Sequence, residues 1–173
     1  KGERWALTGK NGSGKTTLFS LIYADHPMAY SQEVYLFERR RGTGESIWDV
    51  KNRINYLGPE QMHYLSSPAN SVVRDFIRAQ KTIDDNHLQT LVSFFNATEL
   101  MDKLLANLSN GELQLVLLII FFLSKRELLL LDEPFQFLDP ELKRKVNEYL
   151  RNFLDESTTL ILITHYEDDL AEW

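Results

Sequence analysis

The 173-residue chain contains no cysteine, which removes disulfides, thiolate nucleophiles and thiolate metal sites together and suits a reducing compartment. Its 8 Gly and 5 Pro are too few for a fibrous repeat or a disordered linker. An excess of positive charge is also missing. The 19 Lys and Arg stand against 25 Asp and Glu, a net charge of −6, so no global field recommends a nucleic-acid backbone as partner. The longest apolar run, Leu115 to Leu123, is too short to cross a bilayer, and the first residues do not resemble a secretory signal. What is present is 43% hydrophobic residues, on a length that can bury about 70% of its extended-chain surface. One substantial core is expected.

Short apolar stretches at Trp5–Thr8, Ile54–Leu57, Leu128–Leu131 and Leu160–Thr164 have the length of buried strands and alternate with longer helical patterns. Such alternation predicts an α/β core with a mainly parallel sheet. Between Ser71 and Leu108 the apolar residues recur at helical spacing with no strand among them, which predicts a helical insert. Pro140 and Glu141 open a further helix behind Asp139 as N-cap, with Leu142, Val146, Tyr149, Leu150 and Phe153 on one stripe. The chain opens without Met, close to its first strand, and the expectation is an N-terminally incomplete domain.

Gly9-Lys10-Asn11-Gly12-Ser13-Gly14-Lys15-Thr16 matches G-x-x-x-x-G-K-[ST] in full and lies between the first apolar stretch and the helix-compatible run that starts at Thr17. Glycine-rich backbone can turn successive N–H groups inward, and the following helix adds its unpaired N-terminal donors. This is a phosphate cradle. Lys15 would set a positive charge against the β and γ phosphates, and the Thr16 hydroxyl would ligate Mg²⁺.

Far downstream, Leu128–Leu131 runs into Asp132-Glu133-Pro134. Asp132 at that strand end is a candidate partner of the same Mg²⁺, and Glu133, one residue on, a candidate base for the attacking water. His165 follows another core strand at the edge where parallel sheets bind ligands, and it can bond the γ phosphate or hold the water in line. His26, His63 and His87 fall in no metal-ligand spacing.

Taken together, these residues resemble the ATP-binding-cassette (ABC) ATPases. Leu108-Ser109-Asn110-Gly111-Glu112 is similar to that family's L-S-G-G-Q signature, and Phe137-Leu138-Asp139 to its D-loop, in family order across nearly the whole chain. The resemblance implies a P-loop NTPase with a RecA-like core and a helical subdomain over about residues 62–124, the whole of 1–173 being one nucleotide-binding domain. It implies MgATP as ligand and two cassettes packed head to tail, with Gly9, Asn11, Gly12, Ser13, Gly14, Lys15, Thr16 and Thr17 on the nucleotide of one cassette. Ser109 and Gly111 would reach the nucleotide of the other. ATP hydrolysis powering transport of a small solute through a membrane permease is the implied activity, with a cytoplasmic location at the inner face of the membrane. A nucleotide-gated regulatory or translation-associated module is the alternative.

The sequence departs from the family pattern in places. Asn110 stands for a glycine, and Asn tolerates left-handed backbone better than other non-glycine residues. Glu112 stands for glutamine, and its carboxylate should repel a triphosphate unless it points away or pairs. Leu115 and Ile120 fall where the family carries arginines, while Gln114 is retained. Pro59 falls at the lid-glutamine position, leaving Gln61 to take the Mg²⁺ contact by a small loop shift. Arg40–Lys51 with Ile54–Glu60 resembles the ModF-type branch of molybdenum-transport ATP-binding proteins, although Ser46 and Asp49 can equally box the start of a short helix.

Overall fold

The computed structural model describes residues 2–30, 33–64, 70–80 and 83–165. Four parallel strands, β1 (Arg4–Leu7), β4 (Ile54–Leu57), β5 (Leu128–Asp132) and β6 (Thr159–Ile163), form one sheet in the order β1-β6-β5-β4. The two-stranded hairpin β2 (Tyr35–Leu36) and β3 (Arg39–Arg40) stands apart from it. The helices are α1 (Lys15–Ile22), α2 (Ile47–Lys51), α3 (Gln61–Tyr64), α4 (Val73–Arg78), α5 (Asp85–Phe94), α6 (Asn110–Leu123) and α7 (Pro140–Asn152).

Alternation along the central strands shows how the sheet is covered on both faces. Leu128 and Leu130 pack with Phe19 of α1, whereas Leu129 and Leu131 pack with α6 and α7. A strand buried on both sides has no polar face, which is why β5 reads as unbroken leucine. Each fully buried leucine contributes roughly 1.5–3 kcal/mol relative to exposure. The edge strand β4 is shielded by α6: the Asn55 side-chain amide donates to the Phe121 carbonyl (3.0 Å) and the Ser124 hydroxyl (2.6 Å).

The expectation of a buried first strand is corrected. Among the described residues β1 pairs only with β6, at the sheet edge, and Trp5 is 59% exposed. Apolar composition marked the strand, but only its place in the sheet decides burial. Phe153, expected on the buried stripe of α7, caps that helix and is half exposed, stacked on Tyr149.

Between β4 and β5 the described residues contain α3 to α6, two 3₁₀ turns (Glu99–Asp102 and Leu105–Asn107) and one isolated bridge, Val72 to Leu104. Helix α6 is apolar nearly all round, and Leu115 is core while Ile120 packs partly buried against it. The arginine positions of the resembled family are here filled by one core and one partly buried apolar residue. No helix among the described residues is long and apolar enough to cross a membrane.

The Arg40–Lys51 segment runs from the end of β3 through a turn at residues 41–46 into α2. Glu45 accepts from the Gly42 amide (2.7 Å) and from the buried Arg41 side chain (3.2 Å). Ser46 and Asp49 cap α2 reciprocally.

Candidate active site

All four sheet strands run parallel, so their carboxyl ends gather the loop after β1, Pro59 after β4, Asp132 and Glu133 at the end of β5, and His165 after β6. Asn11, Gly12, Gly14, Lys15, Thr16, Thr17, Pro59, Asp132, Glu133 and His165 line one cavity of about 390 Å³. Residues 150 positions apart in sequence thus share one surface because a parallel sheet puts the ends of its strands at one edge.

Gly14 holds α1's N-cap position in left-handed backbone (φ 91°), a conformation costly for a side chain there. No side chain caps this helix and no acid stands in its first turn, so its N-terminal amides keep no competing carboxylate. Lys15 is buried, and its ammonium donates to the carbonyl oxygens of Gly9 (2.8 Å) and Lys10 (3.1 Å), which folds it over the loop. Ser13 donates its backbone N–H to Lys10 to close the turn and does not line the cavity.

The Thr16 hydroxyl donates to Asp132 Oδ2 at 2.7 Å, 116 residues away in sequence. Burial pushes the Asp132 carboxyl above the usual carboxylate range, with the Thr16 bond and Lys15 pulling it back. A hydroxyl and a buried, destabilised carboxylate on one wall of a cavity fit a Mg²⁺ ion, which takes one or two protein oxygens and leaves the rest to water and phosphate.

Glu133 has left-handed backbone (φ 54°), strain that tends to persist at functional sites. Its amide is pinned to the Ile163 carbonyl at 2.9 Å. His165 Nδ1 lies 3.1 Å from the Gly9 carbonyl oxygen, which can only accept, so the ring proton sits on Nδ1 there. Nε2 then faces Glu133 Oε1 at 3.1 Å, close enough for an ion pair when the ring is charged but outside hydrogen-bond geometry. That oxygen is buried without a hydrogen-bond donor among the described residues. Burial raises the Glu133 carboxyl, against His165. A proton acceptor aimed into the cavity and short of donors is what a polarised water needs.

Gln61 is not in this wall. Its side-chain amide donates back to the Tyr56 carbonyl at 2.6 Å, and Pro59 supplies the loop's surface to the cavity. The expected loop shift is opposed by that hydrogen bond.

Ser109, Gly111 and Glu112 lie elsewhere, in a second cavity of about 620 Å³ that also takes in Phe137, Asp139 and Lys145. Ser109 caps α6, accepting from the Glu112 amide while the Glu112 carboxylate accepts from the Ser109 amide. Gly111 is needed for close approach: a Cβ there would stand 2.7 Å from the Phe137 carbonyl oxygen. Asn110 is simply the first residue of the helix and uses no left-handed backbone. Buried Gln114 links α6 to the turn after β5, its amide donating to the Pro134 carbonyl one residue beyond Glu133 (2.9 Å). Neither that contact nor the ion pair of Glu112 with Lys103 (2.6 Å) has a spacing signal in the sequence, because both join separate elements.

A family model described as "ABC transporter" matches residues 1–136. The ABC transporter ATP-binding protein ModF of Escherichia coli is 35% identical over 180 residues, covering 97% of this chain and 36% of that protein. An uncharacterised ABC transporter ATP-binding protein of Schizosaccharomyces pombe is 33% identical, covering 98% and 37%. The chain therefore spans little more than a third of either relative. The solved structure of a "putative ABC transporter (ATP-binding protein)" from Pyrococcus furiosus superimposes with a TM-score of 0.71 at 25% identity, covering 96% of this chain and 80% of that one.

Proposed function

We propose, from the premise that the chain belongs to the ABC transporter family, that it binds MgATP on the loop between β1 and α1 and hydrolyses it while packed head to tail against a second cassette. The observation that carries this reading is the Thr16–Asp132 hydrogen bond at 2.7 Å, in a cavity that Lys15, Glu133 and His165 also line.

The loop amides and the open end of α1 bind the phosphates, and Lys15 exchanges its loop carbonyls for β and γ phosphate oxygens. Thr16 and Asp132 would hold Mg²⁺, which when bound supplies charge neutralisation on the transferred phosphoryl group. Glu133 takes the proton of the attacking water, and its burial raises its affinity for that proton. His165, tethered to Gly9, fixes the distance between the phosphate loop and Glu133. Ser109 and Gly111, on the far side of the Gln114–Pro134 link, present the start of α6 to the nucleotide of the other cassette.

We extend the reading to transport of a small solute by a membrane permease, on the strength of the names its relatives carry. A molybdenum-type solute is supported only by likeness to ModF. The test is ATP turnover in the complete protein. Lys15→Ala is expected to weaken MgATP binding by about tenfold to a hundredfold, the worth of one charge-assisted hydrogen bond. Glu133→Gln is expected to keep MgATP binding and lose turnover by roughly 10²–10⁴-fold. Unchanged turnover in both variants overturns the assignment.

A further inference from the structure

We propose that Lys103 is a positioning residue of the second half-site: it cancels the charge of Glu112, so that the start of α6 can receive a phosphate from the facing cassette. The inference rests on the reading that Ser109 and Gly111 face that phosphate.

Glu112 stands in the first turn of α6, where a carboxylate caps the helix well but also opposes an incoming anion. Its two oxygens are divided between these demands. Oε2 accepts from the Ser109 amide at 2.9 Å, completing the cap, and Oε1 takes the Lys103 ammonium at 2.6 Å. The Lys103 ammonium, ahead of the Ser109 amide, holds this carboxyl below its ordinary value, in keeping with the contacts of its two oxygens.

Lys103 is not a helical neighbour of Glu112; a separate strap delivers it. Its residue ends the 3₁₀ turn Glu99–Asp102 in extended backbone, its carbonyl accepts from the Val73 amide (3.0 Å), and its amide donates to Leu100 (3.2 Å). The bridge from Val72 to Leu104 fixes the next residue. Two elements of the helical region therefore hold one cation at the end of a third. Lys145, the cation that lines the second cavity, faces Glu141 instead (3.9 Å) and leaves Glu112 to Lys103. Lys103 itself does not line that cavity, so it acts through Glu112.

The test is a double-mutant cycle on the complete protein, read as kcat and KM for MgATP turnover at low salt, with equilibrium MgADP binding and a thermal melt as controls for the fold. Lys103→Met is expected to raise KM about tenfold, the order of one unbalanced charge beside an anion at low ionic strength, and to change kcat by less than about threefold. Lys103→Arg keeps the charge and the wild-type KM. In the Glu112→Gln background, Lys103→Met no longer matters: the double variant matches Glu112→Gln within about twofold. MgADP binding to the phosphate loop stays as in wild type throughout.

An equal rise in KM with and without the Glu112 carboxylate overturns the proposal, as does no rise at all. Ser109→Arg separates it from the reading beneath it. Lost turnover in Ser109→Arg with an inert Lys103→Met leaves the shared site standing and removes only Lys103. Full turnover in Ser109→Arg removes both.

Discussion

In the proposed function the strand-end edge and the start of α6 are the two halves of the site, and they meet the same demand, binding an anion with a helix terminus, in different ways. At α1 the first turn has no acid and no side-chain cap, and the donors are left for the ligand. At α6 the first turn has an acid and a full capping box, and a remote lysine balances the charge. The first arrangement is compact in sequence and tolerates little change. The second is distributed over three elements, so its charge balance depends on packing between residues far apart in sequence.

That contrast also explains what could be read from the sequence. Lys15, Thr16, Asp132, Glu133 and His165 were placed by motif spacing and by their position after apolar strands, and the sheet brings all five to one cavity. Parallel topology makes this legible, since every strand end falls on the same edge. Strand burial was less so: both β1 and β5 are short apolar stretches, but among the described residues β1 pairs with one strand where β5 pairs with two. Lys103, the Gln114–Pro134 contact and the Gln61–Tyr56 bond had no signal, because each depends on a contact that the sequence does not encode locally, although Gln114 itself stands at a retained family position. The capping box at Ser109 was hidden by the signature resemblance, although Ser and Glu three apart before an apolar run is itself a helix-start pattern.

The largest expected effect that separates the halves is at Gly111. Alanine there puts a Cβ 2.7 Å from the Phe137 carbonyl, which is backbone and cannot swing aside. The helix or the turn after β5 must shift, at a cost of about 1–3 kcal/mol. Turnover in the complete protein should fall while MgADP affinity, which needs only the phosphate loop, is kept. Equal loss of both would mean that the halves are mechanically one unit through Gln114 and Pro134.

A smaller effect, of opposite sign, is expected at Glu133. Burial raises this carboxyl in the folded chain, and unfolding returns it to its ordinary value. Between the two values the native state binds more protons, so stability falls as pH rises through that window and the penalty is complete above it. Glu133→Gln removes the penalty and should stabilise the nucleotide-free protein by about 1 kcal/mol at pH 7, the gain fading as pH falls below the usual carboxylate range. Melts of both proteins from pH 4 to 8 check it. No gain at pH 7 would mean that His165 already offsets the burial.

The smallest effect is expected where the sequence looks most deviant. Restoring the resembled glycine by Asn110→Gly should help only if that position needs left-handed or crowded backbone, and it needs neither. Asn110 is exposed, has ordinary helical backbone, and the close approach to Phe137 falls on Gly111 instead. Glycine there adds only conformational freedom to the unfolded chain, so stability should drop by roughly 0.5 kcal/mol, with turnover inside about twofold of wild type. A gain in turnover beyond that would show that the asparagine side chain obstructs the facing cassette. The compensation at α6 would then be incomplete at its first residue, however well Lys103 balances Glu112.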